Sequence, residues 1–419
     1  MTLDRTQAPP FSLSTDYSLV QPEVLRFPTG QPLYALRGLQ QEVVKFDLVF
    51  RAGKWFEPTS GVSHFTAQLL RKGTRTRTSF VLAEALERLG AHLEVAAGFD
   101  TVTLSLYVLH KNLFPATELL LDIIREPSFP EEELRQEKEI FIQNLRVNNE
   151  KTSVLASREI RKTIFGSAHP YGNSTEEVDV QAITVEHLRN FFDTHVHLHS
   201  AYFIGPVTPG ELEQLLRSFE LHAAQAPERP APTVRPGSSH ALVKPGSVQA
   251  SIRLGKSCIR KQDSADYYNT LMANHILGGF FGSRLMKNIR EEKGLTYGIY
   301  SAIQHFHHAS YWVISAEVNQ QNTEQALEEI RKEVMNLQEV PVAPDELVVA
   351  RNYFIGSWQA DNATLFAVAE KIRGIQEFGL PADYYPRMFH HLMSMTPADV
   401  QEAARKHFRL EELLEVRVG

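Results

Sequence analysis

Apolar positions alternate or run together at strand length in residues 43–50 (VVKFDLVF), 101–109 (TVTLSLYVL), 295–303 and 311–318, all rich in β-branched residues. Helical periodicity fills residues 61–71, 80–89, 113–125, 131–148, 267–277, 283–292, 323–337 and 344–357. Pro130 followed by Glu131, Glu132 and Glu133 sets proline and acids where the free N–H groups and macrodipole of a helix start favour them, and Gly294 sits at a helix C-terminal cap. Hairpins mixed with helix pairs, rather than strict strand–helix alternation, predict an α+β fold.

The patterning breaks at residues 223–245 (AAQAPERPAPTVRPGSSHALVKP), where Pro, Ala, Gly and Ser replace periodic apolar positions. Read as a linker, this segment separates an N-terminal domain, residues 1–222, from a C-terminal domain, residues 246–419. The two resemble each other. Residues 129–134 (FPEEEL) lead into a helix carrying Phe141 and Ile142, and residues 343–347 (APDEL) into one carrying Phe354 and Ile355. Leu134 and Leu347, Phe141 and Phe354, and Ile142 and Ile355 are all separated by one and the same interval, which points to internal duplication. Leu89-Gly90 and Lys293-Gly294 both precede an alternating stretch, at a somewhat shorter interval, so loop lengths differ between the repeats.

The composition is that of a globular chain: 43% apolar, 22% charged, 23 Gly and 22 Pro in 419 residues. The single cysteine, Cys258, excludes an internal disulfide and a Cys-rich zinc cluster, so a metal here must use His and carboxylates. A net charge of −7 gives no global attraction to nucleic acid or anionic lipid. The segment from Met1 to Tyr17 lacks the apolar core of a signal peptide, and no window approaches ~18 consecutive apolar residues, so a cytoplasmic protein without membrane association is expected.

Two motifs carry the chemistry. The first is residues 61–74 (GVSHFTAQLLRKGT), a helix that resembles the inverted zinc motif of the M16 (pitrilysin/insulinase/mitochondrial processing peptidase-like) metallopeptidases, His-x-x-Glu-His followed by Lys-Gly-Thr. In that motif two His at i and i+4 share one helix face and bind zinc while the Glu takes a proton from the bound water. Here His64 remains, Ala67 stands at the base position and Gln68 at the second ligand. The family's third ligand is a Glu seven positions after an acidic partner on a later helix. Glu137 matches the partner, and the ligand position falls on Asn144, at the family's interval from Gln68. A zinc hydrolase must bring its bound water from a pKa of about 15.7 to about 7, and one His with a neutral Gln and Asn supplies neither charge nor base. No metal or other cofactor is expected in this chain. The resemblance implies two homologous halves, each a mainly antiparallel sheet packed with helices, the LuxS/MPP-like metallohydrolase fold.

The second motif is residues 277–301 (LGGFFGSRLMKNIREEKGLTYGIYS), which is similar to the second-half signature of the same family, where a helix ending in Arg, Glu and Gly turns into a strand opening Leu-x-Tyr. Arg290 and Tyr297 have the family's Arg/Tyr spacing of seven, and the resemblance implies that they bind and polarise a peptide carbonyl and its oxyanion, a large stabilising contribution. Taken alone, Arg290 equally suits pairing with Glu291 or Glu292 on a solvated helix, worth about 0–1 kcal/mol, and Tyr297 suits a strand core.

Further resemblance lies in residues 165–172 (FGSAHPYG), in Ile183-Thr184 before a helix, and in Phe191-Phe192 within it; residues 205–207 (GPV) depart from the usual Gly-Asp/Asn-Val. The strand after Leu89-Gly90 lacks the Asn-Ala segment of active members. Histidines cluster as His195, His197 and His199, whose alternation puts them on one strand face, and as His305, His307 and His308, with no acid nearby in sequence. Both clusters read as surface or partner-facing.

The resemblance therefore implies the non-zinc subunit of a two-chain M16B-type metalloendopeptidase, inactive alone. A zinc-bearing sister subunit carries the metal, and peptides are the substrates. One alternative is a scaffold or core-type interaction protein without peptidase work. Another is a homo-oligomeric hydrolase that uses the histidine clusters with a different metal.

Overall fold

In the computed structural model, which describes residue 6 and residues 17–38, 42–219 and 231–419, the strands form two sheets. The first runs β1-β2-β6-β3-β5-β4, built from β1 (Glu23–Arg26), β2 (Pro32–Arg37), β3 (Val43–Phe50), β4 (His92–Ala97), β5 (Val102–Leu109) and β6 (Leu198–Gly205). The second runs β7-β11-β8-β10-β9, built from β7 (His240–Leu242), β8 (Gln249–Cys258), β9 (Thr296–His305), β10 (Ser310–Asn319) and β11 (Leu414–Val418). Neighbours are antiparallel except β2 with β6 and β7 with β11. Apart from β1, the two orders coincide, with the parallel pair at one side and a hairpin at the other. The expected α+β architecture of two related halves is the observed one.

The first half carries α1 (Val62–Leu70), α2 (Ser79–Arg88), α3 (Leu113–Arg125), α4 (Glu131–Asn149), α5 (Thr152–Phe165), α6 (Glu177–Ala182), α7 (Val185–His195) and α8 (Pro209–Ser218). The second carries α9 (Ser264–Asn274), α10 (Thr323–Glu339), α11 (Pro344–Ala360), α12 (Leu365–Glu377), α13 (Tyr384–Ser394) and α14 (Pro397–His407). The starts of α4 and α11 are separated by the interval that relates Phe141 to Phe354, and so are the starts of α5 and α12. Gly90 and Gly294 both adopt positive φ, at 59° and 61°, as the residues that end one helical stretch and release the chain into an edge strand. No helix among the described residues is long and apolar enough to cross a membrane.

Of the segment read as a linker, residues 223–230 lie outside the described residues. The remainder is partly structured, which corrects that reading. Arg235 and Gly237 donate backbone hydrogen bonds to Phe165 and Thr163, at 3.2 and 2.7 Å, and His240–Leu242 is β7. So short a strand, held by its parallel neighbour, cannot show periodicity.

Each sheet turns one face to its own helices and the other to a helix of the opposite half. On β3, Val44, Phe46, Leu48 and Phe50 join the first core, while Lys45 and Asp47 between them are only 6% and 1% exposed. They are covered by α12: Lys45 Nζ lies 2.9 Å from Asp47 and 2.7 Å from Glu370, and Arg373 donates to Thr103 Oγ1 at 2.7 Å. Burial opposes the charge on Lys45, but Asp47 and Glu370 more than offset it, so its pKa lies above the ordinary lysine value. Reciprocally, α5 packs Ile160 and Ile164 against Tyr311, Val313, Val416 and Val418 of the second sheet. Buried Arg253 on β8 reaches Ser157 Oγ on α5 at 3.2 Å and Glu317 at 2.8 Å. Ser157 and Glu370, the two helix positions that meet these sheet cations, are again separated by the interval of the repeat.

The hairpin tips also meet across the seam. The His307 N–H donates to Asp100 at 3.0 Å, Phe99 and Phe306 lie 4.7 Å apart, and His308 stacks on Trp55 at 4.0 Å. The histidines are thus only in part a surface feature: His308 is exposed, and the others are half-buried. His195 ends α7 and β6 begins only at Leu198, so His195, His197 and His199 do not share a strand face. His305 bonds Tyr267 and Ser310, and His307 finds an acid remote in sequence, Glu377 at 3.6 Å. Among the described residues no group of three or more His, Cys, Asp or Glu is placed to hold a metal.

The buried pair and the buried histidines can each be tested by unfolding. Lys45→Ala should cost about 3–5 kcal/mol in denaturant unfolding, because it strands a buried carboxylate, whereas the double change Lys45→Met with Asp47→Leu should cost far less. Stability should also fall as pH drops from 6.5 towards about 4. Burial, with Arg51 adding to it, pushes His199 down to about 4, and burial, with Lys261, pushes His305 down to about 3, against 6.5 for an ordinary histidine. The unfolded chain then binds more protons than the folded one in that window. His199→Gln should flatten the dependence of melting temperature on pH between about 6.5 and 5; an unchanged slope would refute the assignment.

Candidate functional site

The positions that match the family's zinc motif lie on α1 and α4. His64 packs its ring against Phe65 and Phe141, at 5.2 and 5.0 Å, and burial lowers its pKa, with Glu137 opposing. Ala67 is buried in the first core. Gln68 accepts a hydrogen bond from Arg71 at 3.0 Å and leans towards the Val95 carbonyl at 3.5 Å. Glu137 on α4 is held by Lys72 at 2.9 Å, and Asn144, two turns on, is exposed. These residues do not fit a zinc ion: one neutral imidazole, two amide side chains and a methyl group offer no anionic ligand, and the nearby carboxylate is already paired.

The second motif is built differently. α9 continues as a π-helical segment, His275–Gly279, and a second π-helical segment covers Met286–Glu292, where regular helices over residues 267–277 and 283–292 are expected from periodicity. A tight fit shapes the first: a Cβ on Gly278 would lie 2.7 Å from the Ser301 backbone nitrogen. Asn274 fastens the same place, accepting from Ser301 Oγ and Trp312 Nε1 at 2.6 and 3.1 Å and donating to the Ser301 carbonyl at 3.1 Å. Just before the second segment, Arg284 makes a two-pronged pair with Glu346 of α11 at 2.8 and 2.9 Å, and within it Asn288 bonds Glu329 and Glu333 of α10. This bracing leaves two functional groups facing outward. The Arg290 guanidinium lies 4.7 Å over the ring of Phe281, and Tyr297, the second residue of β9, is 92% exposed. Phe281 and Tyr300 are each 57% exposed.

Among the described residues Arg290 forms no ion pair, so pairing with Glu291 or Glu292 is not observed, and Tyr297 is not strand core. The repeat sharpens this. Counting back from the capping glycines, Arg290 and Tyr297 correspond to Leu86 and Leu93, which are 9% and 7% exposed. Where the first half buries two leucines, the second presents a cation and a phenol. A further correspondence is absent from the sequence reading: His275 follows His64 at nearly the interval of the repeat, and its ring packs on Phe354 at 5.2 Å, as that of His64 packs on Phe141. The interval is the signal that could have found it.

A family model described as "Insulinase (Peptidase family M16)" matches residues 35–178, and one described as "Peptidase M16 inactive domain" matches residues 182–354, together about three quarters of the chain. The chain belongs to the peptidase M16 family. It is similar to an "uncharacterized zinc protease" of Rickettsia felis, 24% identical over 74% of this chain and 76% of the relative. It is also similar to the "non-peptidase homolog YmxG" of Helicobacter pylori, 24% identical over 87% of this chain and 86% of the relative. Among solved structures, a peptidase M16 inactive domain from Pseudomonas fluorescens superimposes with a TM-score of 0.87 at 23% identity, covering 96% of this chain and 98% of that one. A protease from Helicobacter pylori superimposes at 0.84 and 16% identity, covering 96% and 99%. The M16 likeness read from the two motifs is thus established, and the fold with it.

Zinc added to the purified chain should bind at far less than one ion per chain, as checked by metal analysis after dialysis. Stoichiometric zinc that is lost in His64→Ala would overturn the reading of α1.

Proposed function

We propose that this chain is the non-zinc subunit of a heteromeric M16-type metalloendopeptidase. In this reading Arg290 and Tyr297 orient the scissile carbonyl of a peptide and stabilise its oxyanion, while a zinc-bearing sister subunit activates water. The observation that carries it is the pairing of an uncommitted, half-buried guanidinium with a solvent-facing phenol at positions where the repeat otherwise buries leucine. A guanidinium resting over the ring of Phe281 has lost part of its rotamer freedom before substrate arrives, which makes its hydrogen bonds less costly to form. Two donors converging on one oxygen favour the charge that develops in the transition state over the neutral carbonyl of the ground state.

A second reading, a catalytically inactive M16-like scaffold or interaction protein, is favoured by the absent zinc ligands and by the likeness to one relative named a non-peptidase homolog. It leaves the exposure of Arg290 and Tyr297 without a physical reason.

The test is peptide hydrolysis by this chain alone, by the sister chain alone, and by the mixture. Only the mixture should be fully active, and Arg290→Ala should lower its kcat by about 10²–10³, the usual loss on removing one oxyanion donor. An unchanged rate in a mixture that still assembles would leave the scaffold reading standing.

A further inference from the structure

We infer that Lys54, Arg158 and Arg161 form an oxyanion-binding site at the seam between the two halves, separate from the Arg290–Tyr297 surface. Lys54 opens the short 3-10 turn Lys54–Phe56 before α1; Arg158 and Arg161 lie one turn apart on α5, the helix that crosses to the second sheet. All three are half-buried, and among the described residues none forms an ion pair. This sets them apart from the other cations of the seam, Lys45, Arg253 and Arg373, each of which has a carboxylate.

Their hydrogen bonds go to neutral acceptors. Lys54 Nζ donates to the Asn173 carbonyl at 2.6 Å, Arg158 to Asn149 Oδ1 at 2.5 Å and Arg161 to the Ser157 carbonyl at 2.8 Å. Lys54 and Arg161 both lie over the ring of Phe99, at 5.9 and 5.5 Å, which gathers them round one aromatic surface. Arg161 Nε is buried without a hydrogen-bond partner, an orphan donor that costs free energy unless a ligand accepts from it. Arg161 also reaches Tyr311 of the second half.

The three charges are close enough to oppose one another. Burial lowers the pKa of Lys54, and Arg161 and Arg158 lower it further, with Glu57 and Asp179 acting in the opposite sense. Glu57 acts on Lys54 more strongly than either arginine, but both acids also serve helix starts. Glu57 accepts from the Gly61 and Ser63 N–H groups at the start of α1, and Asp179 from the Glu176 N–H in the cap of α6. Two guanidiniums and an ammonium with no anion of their own fit a carboxylate or phosphate, which accepts from the planar Arg forks and neutralises the point charge of Lys54. The shared chemistry is an oxyanion; its source is either a free inorganic anion or an acidic group on a peptide.

The experiment uses the full chain in low-chloride buffer. Inorganic phosphate and, separately, a blocked acidic peptide with its glutamine counterpart are titrated by calorimetry and by thermal shift. Saturable binding of phosphate, or of the acidic but not the glutamine peptide, is expected, with a rise in melting temperature; which of the two binds identifies the source. Arg158→Gln and Lys54→Gln should each weaken that binding at least about tenfold, whereas Arg88→Gln, on an exposed ion pair, should not. Without ligand, Lys54→Gln and Arg158→Gln should melt no lower than the parent, since each relieves repulsion; a merely structural role would lower the melting temperature. Absence of saturable binding by the parent chain, or binding that survives both substitutions, would overturn the site.

Discussion

The structure depends on an exchange: each sheet has one face that its own half leaves uncovered, and a helix of the other half covers it. α12 lies on the first sheet and α5 on the second, and each meets a buried sheet cation with a residue at the same place in the repeat, Glu370 for Lys45 and Ser157 for Arg253. Neither cover is a surface embellishment. Without α12, Lys45 and Asp47 would be a solvated pair worth little; with it they are desolvated, and their pairing becomes obligatory. Burial of Ile160, Ile164, Tyr311, Val313, Val416 and Val418 adds an apolar gain at the same seam. The halves are related by duplication but do not behave as independent bodies, and the tip-to-tip contacts of Phe99 with Phe306 and Asp100 with His307 close the remaining gap.

The first motif lies apart from this seam. α1 faces α4 and α7 within the first core, away from the exchanged helices. Phe141 against His64, Lys72 against Glu137 and Arg71 against Gln68 turn that face into an ordinary interface of aromatic packing and surface pairing. The second half kept the opposite arrangement. There Asn274, Arg284 and Asn288 fasten the stretch that carries the two π-helical segments.

Much of this is legible in the chain. Strand 43–50 is β3 to the residue, helix 113–125 is α3, and the constant interval between Phe141 and Phe354 is the one that separates the starts of α4 and α11. What escapes a sequence reading is non-local. α5 and α12 do not stand out, because their buried faces answer a sheet from the other half and nothing in their own neighbourhoods says so. The His305 cluster reads as a surface feature because its partners Tyr267, Glu377 and Asp100 are distant in sequence. The π-helical segments read as regular helices, since an inserted residue shifts the hydrophobic period too little to register over so short a stretch. Of the candidate site, the residues Arg290 and Tyr297 are visible from the motif, but the exposure of Tyr297 and the lack of a carboxylate on half-buried Arg290 are not, and these distinguish them from Leu86 and Leu93.

That exposure bears on why the chain has been kept in its present form. A tyrosine ring almost wholly in water forgoes the burial that Leu93 obtains at the matching position, and an arginine with no carboxylate forgoes the pairing that Arg284 obtains less than two turns earlier. On the face of α1, by contrast, Phe141 packs on His64 and Lys72 pairs with Glu137. The two halves thus differ in kind at matching positions: the first packs two leucines, and the second leaves a cation without a carboxylate and an aromatic ring in water.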